Sequence, residues 1–275
     1  MLVNLKDILE DAKKEGYAVP ATNIDNEHNL RAAISAAEEM NSPIILNVTP
    51  IANPDLEFFG PIAAELGRRS KQKVCLNLDH GKDFLGCLKG IRSGFTSIMI
   101  DRSLLSYEEN VKQVSEMVRI CHELGISVEA ELGHVGMGDN YAVDGNNCLT
   151  NPDMAVKFVN DTGIDALAVA IGTAHGSYIG EPHIDFDLLH ELSEKVSIPL
   201  VLHGGSGTGE ENLVRCSKEG INKINLSNDL KKAAIKKLLD SNLEGNGAYQ
   251  LYPLIAEGFK EKVQYYIRLL GSENK

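Results

Sequence analysis

Eight short β-rich runs recur along the 275-residue chain, at 17–21, 43–48, 74–78, 96–100, 127–131, 166–171, 199–202 and 223–226, and each is followed by a segment of helical periodicity. Several runs, such as PIILNV at 43–48, are almost continuously apolar. Strands read this way when helices cover both faces of a parallel sheet. Eight β/α units in a chain of this length predict an α/β fold of the closed (β/α)8 TIM-barrel type rather than a doubly wound open sheet. Without a long linker or low-complexity stretch, residues 1–275 are expected to form a single domain. Leu251–Leu270 is left over as an extra C-terminal helix, with an apolar face for either the barrel or a second subunit.

Helix starts are signalled by Asn26, by Ser106 with Glu109 three residues later, and by Asn151 before Pro152. Gly67, Gly90, Gly125, Gly163 and Gly220 read as helix stops that feed the next strand. Aromatic residues make up only 5% of the chain and tryptophan is absent, so Ile, Leu, Val and Ala must fill the core, as suits a barrel interior. The net charge of −12 provides no field to gather nucleic acid or an anionic membrane, and no apolar run reaches the ~18 residues that a membrane span needs. The five cysteines are odd in number, widely spaced and without a Cys-x-x-Cys pair. They encode neither a disulfide framework nor a thiolate zinc site, and a cytoplasmic location is expected.

In such a barrel the chemistry sits at the C-terminal strand ends. Three of those ends place a histidine beside glycine: His80 in LDHG, His175 in GTAHG and His203 in LHGGSG. A lone histidine there is an ordinary hydrogen-bonded residue. Three at equivalent heights have the composition of a catalytic zinc site, with a fourth position left for substrate. His28, His122, His134, His183 and His190 lack a matching pattern and read as surface residues. Asp79 precedes His80 and is the acid/base candidate. Asp101 and Glu131 close the fourth and fifth runs and suit an oxygen-rich second position for a divalent or monovalent cation, although Asp79 and Asp101 also read as helix N-caps. Gly204, Gly205 and Ser206 after the seventh run, with the stretch 225–228 after the eighth, occupy the usual anion site of barrels; the bland alternative is a tight turn that lets His203 reach the mouth.

The segments LDHG, SIMIDRS, EAELGHVG, AIGTAHGSYIGEPHIDFDLL, PLVLHGGSGT and KINLSNDLK together resemble the class II, zinc-dependent ketose-bisphosphate aldolases, which include the fructose- and tagatose-bisphosphate enzymes. The likeness runs from VPATNIDN to the C-terminal helix and is nearer the tagatose type in its spacing. It implies zinc ligands at His80, His175 and His203, a second metal position at Asp101 and Glu131, and an acid/base at Asp79 for the C4 hydroxyl proton. It also implies an enediolate contact at Asn225 and a loop acid at Asp139, within a glycine-bearing lid at 133–147. Asn23, Thr49, Gly176, Gly204, Gly205, Ser206, Ser227 and Asn228 match positions around the ketose and its phosphate. The implied activity is reversible cleavage of a ketose (bis)phosphate into dihydroxyacetone phosphate and an aldehyde, by a homodimer or homotetramer.

Departures from the family pattern fall on substrate rather than metal positions. Ile179 replaces a phosphate-binding lysine, Asn228 a threonine and Arg102 a glycine, and Lys82 is unusual after DHG. Loss of a charge-assisted contact costs about 1.5–3 kcal/mol. Either backbone amides still hold the phosphate, with Arg102 or Lys82 supplying the charge, or the substrate is a related unphosphorylated or acidic ketose. A non-catalytic, metal-binding accessory subunit of a sugar pathway is the reading from another class.

Overall fold

The computed structural model describes residues 1–137, 149–178, 180 and 182–275. Its centre is a closed barrel of eight parallel strands in sequence order. These are β1 (Val19–Asn23), β2 (Ile44–Val48), β3 (Val74–Gly81), β4 (Ser97–Ile100), β5 (Ser127–Leu132), β6 (Ala166–Val169), β7 (Leu200–Leu202) and β8 (Ile221–Leu226). β8 closes on β1 with Ala21 opposite Asn225. After β1 to β8 in turn come α2 (Glu27–Glu39), α3 (Leu56–Arg69), α4 (Phe84–Arg92), α5 (Tyr107–Glu123), α6 (Pro152–Thr162), α7 (Phe186–Lys195), α8 (Glu210–Lys218) and α9 (Asn228–Leu239). The (β/α)8 barrel expected from the alternation is therefore what forms.

Two further helices complete it. α1 (Lys6–Glu15) closes the bottom: Leu5, Ile8, Leu9 and Ala12 meet the interior-facing Val19, Ala21, Ile45, Cys75, Met99, Ala166, Ala168 and Val201. The other strand faces and the helices form the outer core. α10 (Leu251–Leu270) lies across α2 and α9 and buries Phe259, Val263, Tyr266, Ile267 and Leu270, so the tail helix packs on its own barrel. The Tyr266 hydroxyl donates to Asp229 Oδ2 (2.6 Å), which also accepts from the Gly207 amide (3.1 Å). The tail thereby braces the loop after β7. No helix among the described residues is long and apolar enough to cross a membrane.

The expected caps form: Asn26 accepts from the Asn29 amide in a reciprocal box, Ser106 from Glu109 and Asn151 from Met154. Gly163 ends α6 in the left-handed region, and Gly125 and Gly220 also have positive φ. Gly67 and Gly90 are different: they lie inside α3 and α4. A methyl group on Gly90 would sit 3.1 Å from both Ile98 and Leu78, so this glycine allows helix and sheet to approach closely rather than stopping the helix. Cys75, Cys87, Cys121 and Cys216 are buried free thiols.

Candidate active site

The C-terminal strand ends surround a cavity of about 560 Å³. β3 supplies two neighbouring polar side chains to it by breaking its own regularity. Successive residues of a strand normally face opposite ways. Here the β3–β4 register shifts between Leu78 and Gly81, and His80 has φ 53°, a left-handed conformation rare outside glycine. Asp79 and His80 consequently both line the mouth. Gly81 is bound into the same bulge, since a Cβ there would lie 2.6 Å from Cys87 Sγ and 2.8 Å from the Met99 carbonyl.

His175, after β6, and His203, after β7, meet His80 at the centre. The three facing nitrogens form a small triangle, with His80 Nε2 3.2 Å from His175 Nε2 and 3.0 Å from His203 Nδ1, and the last two 3.3 Å apart. An ion bound tetrahedrally at ~2.0–2.1 Å requires nitrogen separations of about 3.3–3.4 Å. The triangle fits such an ion with little adjustment. Each imidazole is also held from behind by an acceptor: Asp101 Oδ2 for His80 Nδ1 (2.8 Å), the Val135 carbonyl for His175 Nδ1 (3.2 Å) and Glu129 Oε1 for His203 Nε2 (3.0 Å). Those contacts set the tautomers that turn the remaining lone pairs inward.

The surroundings of the three imidazoles push them in different directions. Burial disfavours the His80 imidazolium, but Asp79, Asp101 and Glu131 outweigh it and raise the group to about 9. Burial and the His80 charge depress His175 and, with Lys223, push His203 well down. Burial also opposes the Asp101 carboxylate, yet its bonds from His80 and Ser103 hold it below the usual carboxylate range.

A second acidic group adjoins the triangle: ligand-type atoms of His80, Asp101 and Glu131 lie within 4.8 Å of one another. Glu131 Oε1 accepts from the Val135 amide, while its buried Oε2 has no hydrogen-bond partner among the described residues. Neither Asp79 nor Asp101 caps a helix. Asp79 Oδ1 accepts from Asn225 Nδ2 (3.1 Å), Asp101 Oδ1 accepts from Ser103, and α4 is capped instead by Asp83. Asn225 Oδ1 is buried and unpartnered among the described residues.

Asn23, Thr49, Gly176, Gly204, Ser206, Ser227 and Asn228 all line the cavity. Ser206 Oγ accepts from the Ser227 and Asp229 amides and thereby caps α9, tying the glycine loop to the start of that helix. Gly204 has a φ of 71°, and a side chain there would run into the Ala174 carbonyl, so both the backbone and the space call for glycine. Gly205 faces β8 instead of the cavity, with its amide donating to the Asn225 carbonyl.

Arg102 is a correction. It is not brought to the mouth: its guanidinium is buried and donates to the carbonyls of Gly81, Lys82 and Asp101 and to Gln113. Lys82 does line the cavity, as does Lys231, which the motifs did not single out; its Nζ lies 2.7 Å from Asp25 Oδ2. His134 is also no mere surface residue. It is half-buried at the mouth, with Nδ1 3.1 Å from Ser103 Oγ and 3.6 Å from Glu131. The spacing EAELGH, which sets His134 three residues beyond Glu131, was the available signal. His28 stacks on Tyr252, and His122 lies 2.8 Å from Asp165. Asp139 and Ile179, and most of the expected lid, lie outside the described residues.

Barrel and mouth together define the class, a (β/α)8-barrel enzyme with a histidine-centred cavity. The chain belongs to the class II fructose-bisphosphate aldolase family, whose model matches residues 3–275. It is similar to the YdjI aldolase from Escherichia coli K12, with 33% identity, coverage of 99% of this chain and 98% of that one, and a TM-score of 0.87. A Coccidioides immitis protein assigned as a fructose-1,6-biphosphate aldolase is 28% identical over 98% and 96% of the two chains, with a TM-score of 0.89. The fructose-bisphosphate aldolase of Campylobacter jejuni shares the fold, with 22% identity over 100% and 97% of the two chains and a TM-score of 0.82.

Proposed function

We propose that this aldolase depends on zinc and cleaves a ketose phosphate reversibly into dihydroxyacetone phosphate and an aldehyde. The observation that carries the reading is the imidazole triangle with its three acceptors behind it. His80 Nε2, His175 Nε2 and His203 Nδ1 would hold the ion, which, when bound, supplies Lewis acidity toward the ketose carbonyl and the enediolate charge. Asp101 and Glu131 would serve a second cation.

The remaining work belongs to side chains. Asp79 takes the proton from the C4 hydroxyl in cleavage and returns it in condensation. Asn225 holds Asp79 in place through Nδ2 and contacts the enediolate oxygens. Asp139 exchanges the proton of the triose carbanion. Gly176, Gly204 and Ser206, with Ser227 and Asn228 at the start of α9, surround the phosphate, where backbone amides and the positive end of a helix favour an anion. Asn23 and Thr49 bound the substrate from the ends of β1 and β2.

The position of Arg102 favours a second reading, an unphosphorylated or acidic ketose. Arg102 is turned away and position 179 carries an uncharged isoleucine, so Lys82 and Lys231 are the cationic side chains that line the cavity among the described residues. The decisive experiment assays zinc-loaded protein against fructose- and tagatose-1,6-bisphosphate beside unphosphorylated ketoses. Turnover of a phosphorylated ketose is expected. Turnover confined to unphosphorylated ones transfers the proposal to the second reading, and a zinc-bound protein that cleaves neither points to an accessory subunit.

A further inference from the structure

Beneath the mouth, the barrel interior holds a charged pair where its neighbours are apolar. Lys223 of β8 and Glu129 of β5 are both fully buried, with Nζ 2.8 Å from Oε2 and 3.1 Å from Oε1. The same interior carries Val19, Ala21, Ile45, Cys75, Met99, Ala166, Ala168 and Val201. β5 and β8 are not neighbours in the barrel, so the pair bridges its interior. Such a pair adds little to stability by itself. Removing two charges from water offsets most of their attraction, and apolar residues of similar volume commonly do as well or better.

What an apolar pair could not do is face the imidazole above it. Glu129 Oε1 lies 3.0 Å from His203 Nε2, on the side of the ring away from the triangle. We infer that Glu129 and Lys223 are positioning residues for His203: Glu129 accepts the Nε2 hydrogen and so leaves Nδ1 as the inward lone pair, while Lys223 fixes the carboxylate in that pose. The inference rests on the metal reading of the triangle. Lys223 donates to both oxygens of Glu129, so the carboxylate stays oriented when the ligand ring would otherwise turn. It also tempers the electron density that the carboxylate passes to the imidazole. The arrangement resembles the one behind His80, where Asp101 has the same task but receives hydrogen bonds from Ser103 in place of an ammonium group. His203 has no exposed edge, so water cannot substitute for Glu129.

Removal of Lys223 alone would strand a buried carboxylate, so the informative variant is the double Glu129→Leu/Lys223→Met, which removes the acceptor together with its ammonium partner, with Glu129→Met/Lys223→Met as a second should the first fail to fold. Two quantities are measured on wild type and variant: zinc affinity by competition with a chromophoric chelator, and the visible d–d spectrum of the cobalt(II)-substituted protein. Thermal unfolding of the metal-free forms checks that the fold persists. Loss of an outer partner of a metal-bound histidine typically costs 10–100-fold in metal affinity. A loss of that size with a displaced cobalt spectrum is the expected result. Wild-type affinity together with a wild-type spectrum in the folded variant overturns the positioning role and leaves the metal reading intact. A wild-type chain that binds neither zinc nor cobalt overturns both.

Discussion

Asp79 is only 4% exposed, yet it lines the cavity and is anchored by the Asn225 amide at 3.1 Å. Its neighbour His80 carries the conformational strain that brings both side chains to the same side of the sheet. The two residues have separable tasks, since the inward nitrogens belong to His80, His175 and His203 while Asp79 holds a carboxylate beside them. Asp79→Asn keeps the volume and the contact to Asn225 but removes the proton acceptor. Turnover should fall by about 10²–10⁴-fold, the usual worth of a positioned acid/base, with the metal stoichiometry of the purified protein unchanged. Steady-state rates and metal analysis on the same preparation decide it. Wild-type turnover would remove Asp79 from proton handling, and lost metal would make it part of the ion's support.

The β3 bulge depends on Gly81 as much as on His80. Cys87 of α4 and the Met99 carbonyl of β4 close over the space where a side chain would begin, with Cys87 packed in the outer core and Met99 in the barrel interior. Gly81→Ala should therefore cost about 1–3 kcal/mol, the range for overpacking a dense interior, read as a lower denaturant midpoint at unchanged slope. An unshifted midpoint would show that the bulge has slack. This segment also shows what the sequence discloses and what it hides. The run 74–78 was legible from its apolar pattern, but the strand continues to Gly81, because the bulge keeps pairing with Ile100 after polar residues begin. β1 lies two residues later than its aromatic start suggests, with Tyr17 turned into the α1 plug. Gly67 and Gly90 look like stops since periodicity alone does not reveal how near a sheet lies. The three histidines were readable because strand ends in a barrel share one height. Arg102 was misplaced and His134 overlooked for the converse reason. A loop side chain's direction is decided by nearby carbonyls and acceptors from other segments: Gly81 and Lys82 for the one, Ser103 and Glu131 for the other.

The ligands of the proposed ion come from β3 and from the segments after β6 and β7, so an ion at the triangle would cross-link parts of the barrel wall remote in sequence. No described disulfide does so, and the mouth is otherwise held by packing and by hydrogen bonds such as Tyr266 to Asp229 and Ser206 to the start of α9. An ion that binds the folded mouth and not the unfolded chain stabilises by about 4 kcal/mol at a thousandfold excess over its dissociation constant. For a barrel of this size, each 1 kcal/mol moves Tm by roughly 2–4 °C. Treatment with a chelator followed by dialysis should accordingly lower Tm by roughly 10 °C, and added zinc should restore it. The same cycle applied to His175→Ala should leave Tm almost unmoved, since two remaining imidazoles cannot bind the ion tightly. This pairing separates a metal at the mouth from one bound by surface carboxylates, which would shift both proteins alike. If the wild-type Tm is indifferent to chelator and to zinc, the triangle is not a site whose occupancy supports the barrel, and a hydrogen-bonded cluster around a protonated His80 accounts for the three short nitrogen separations instead.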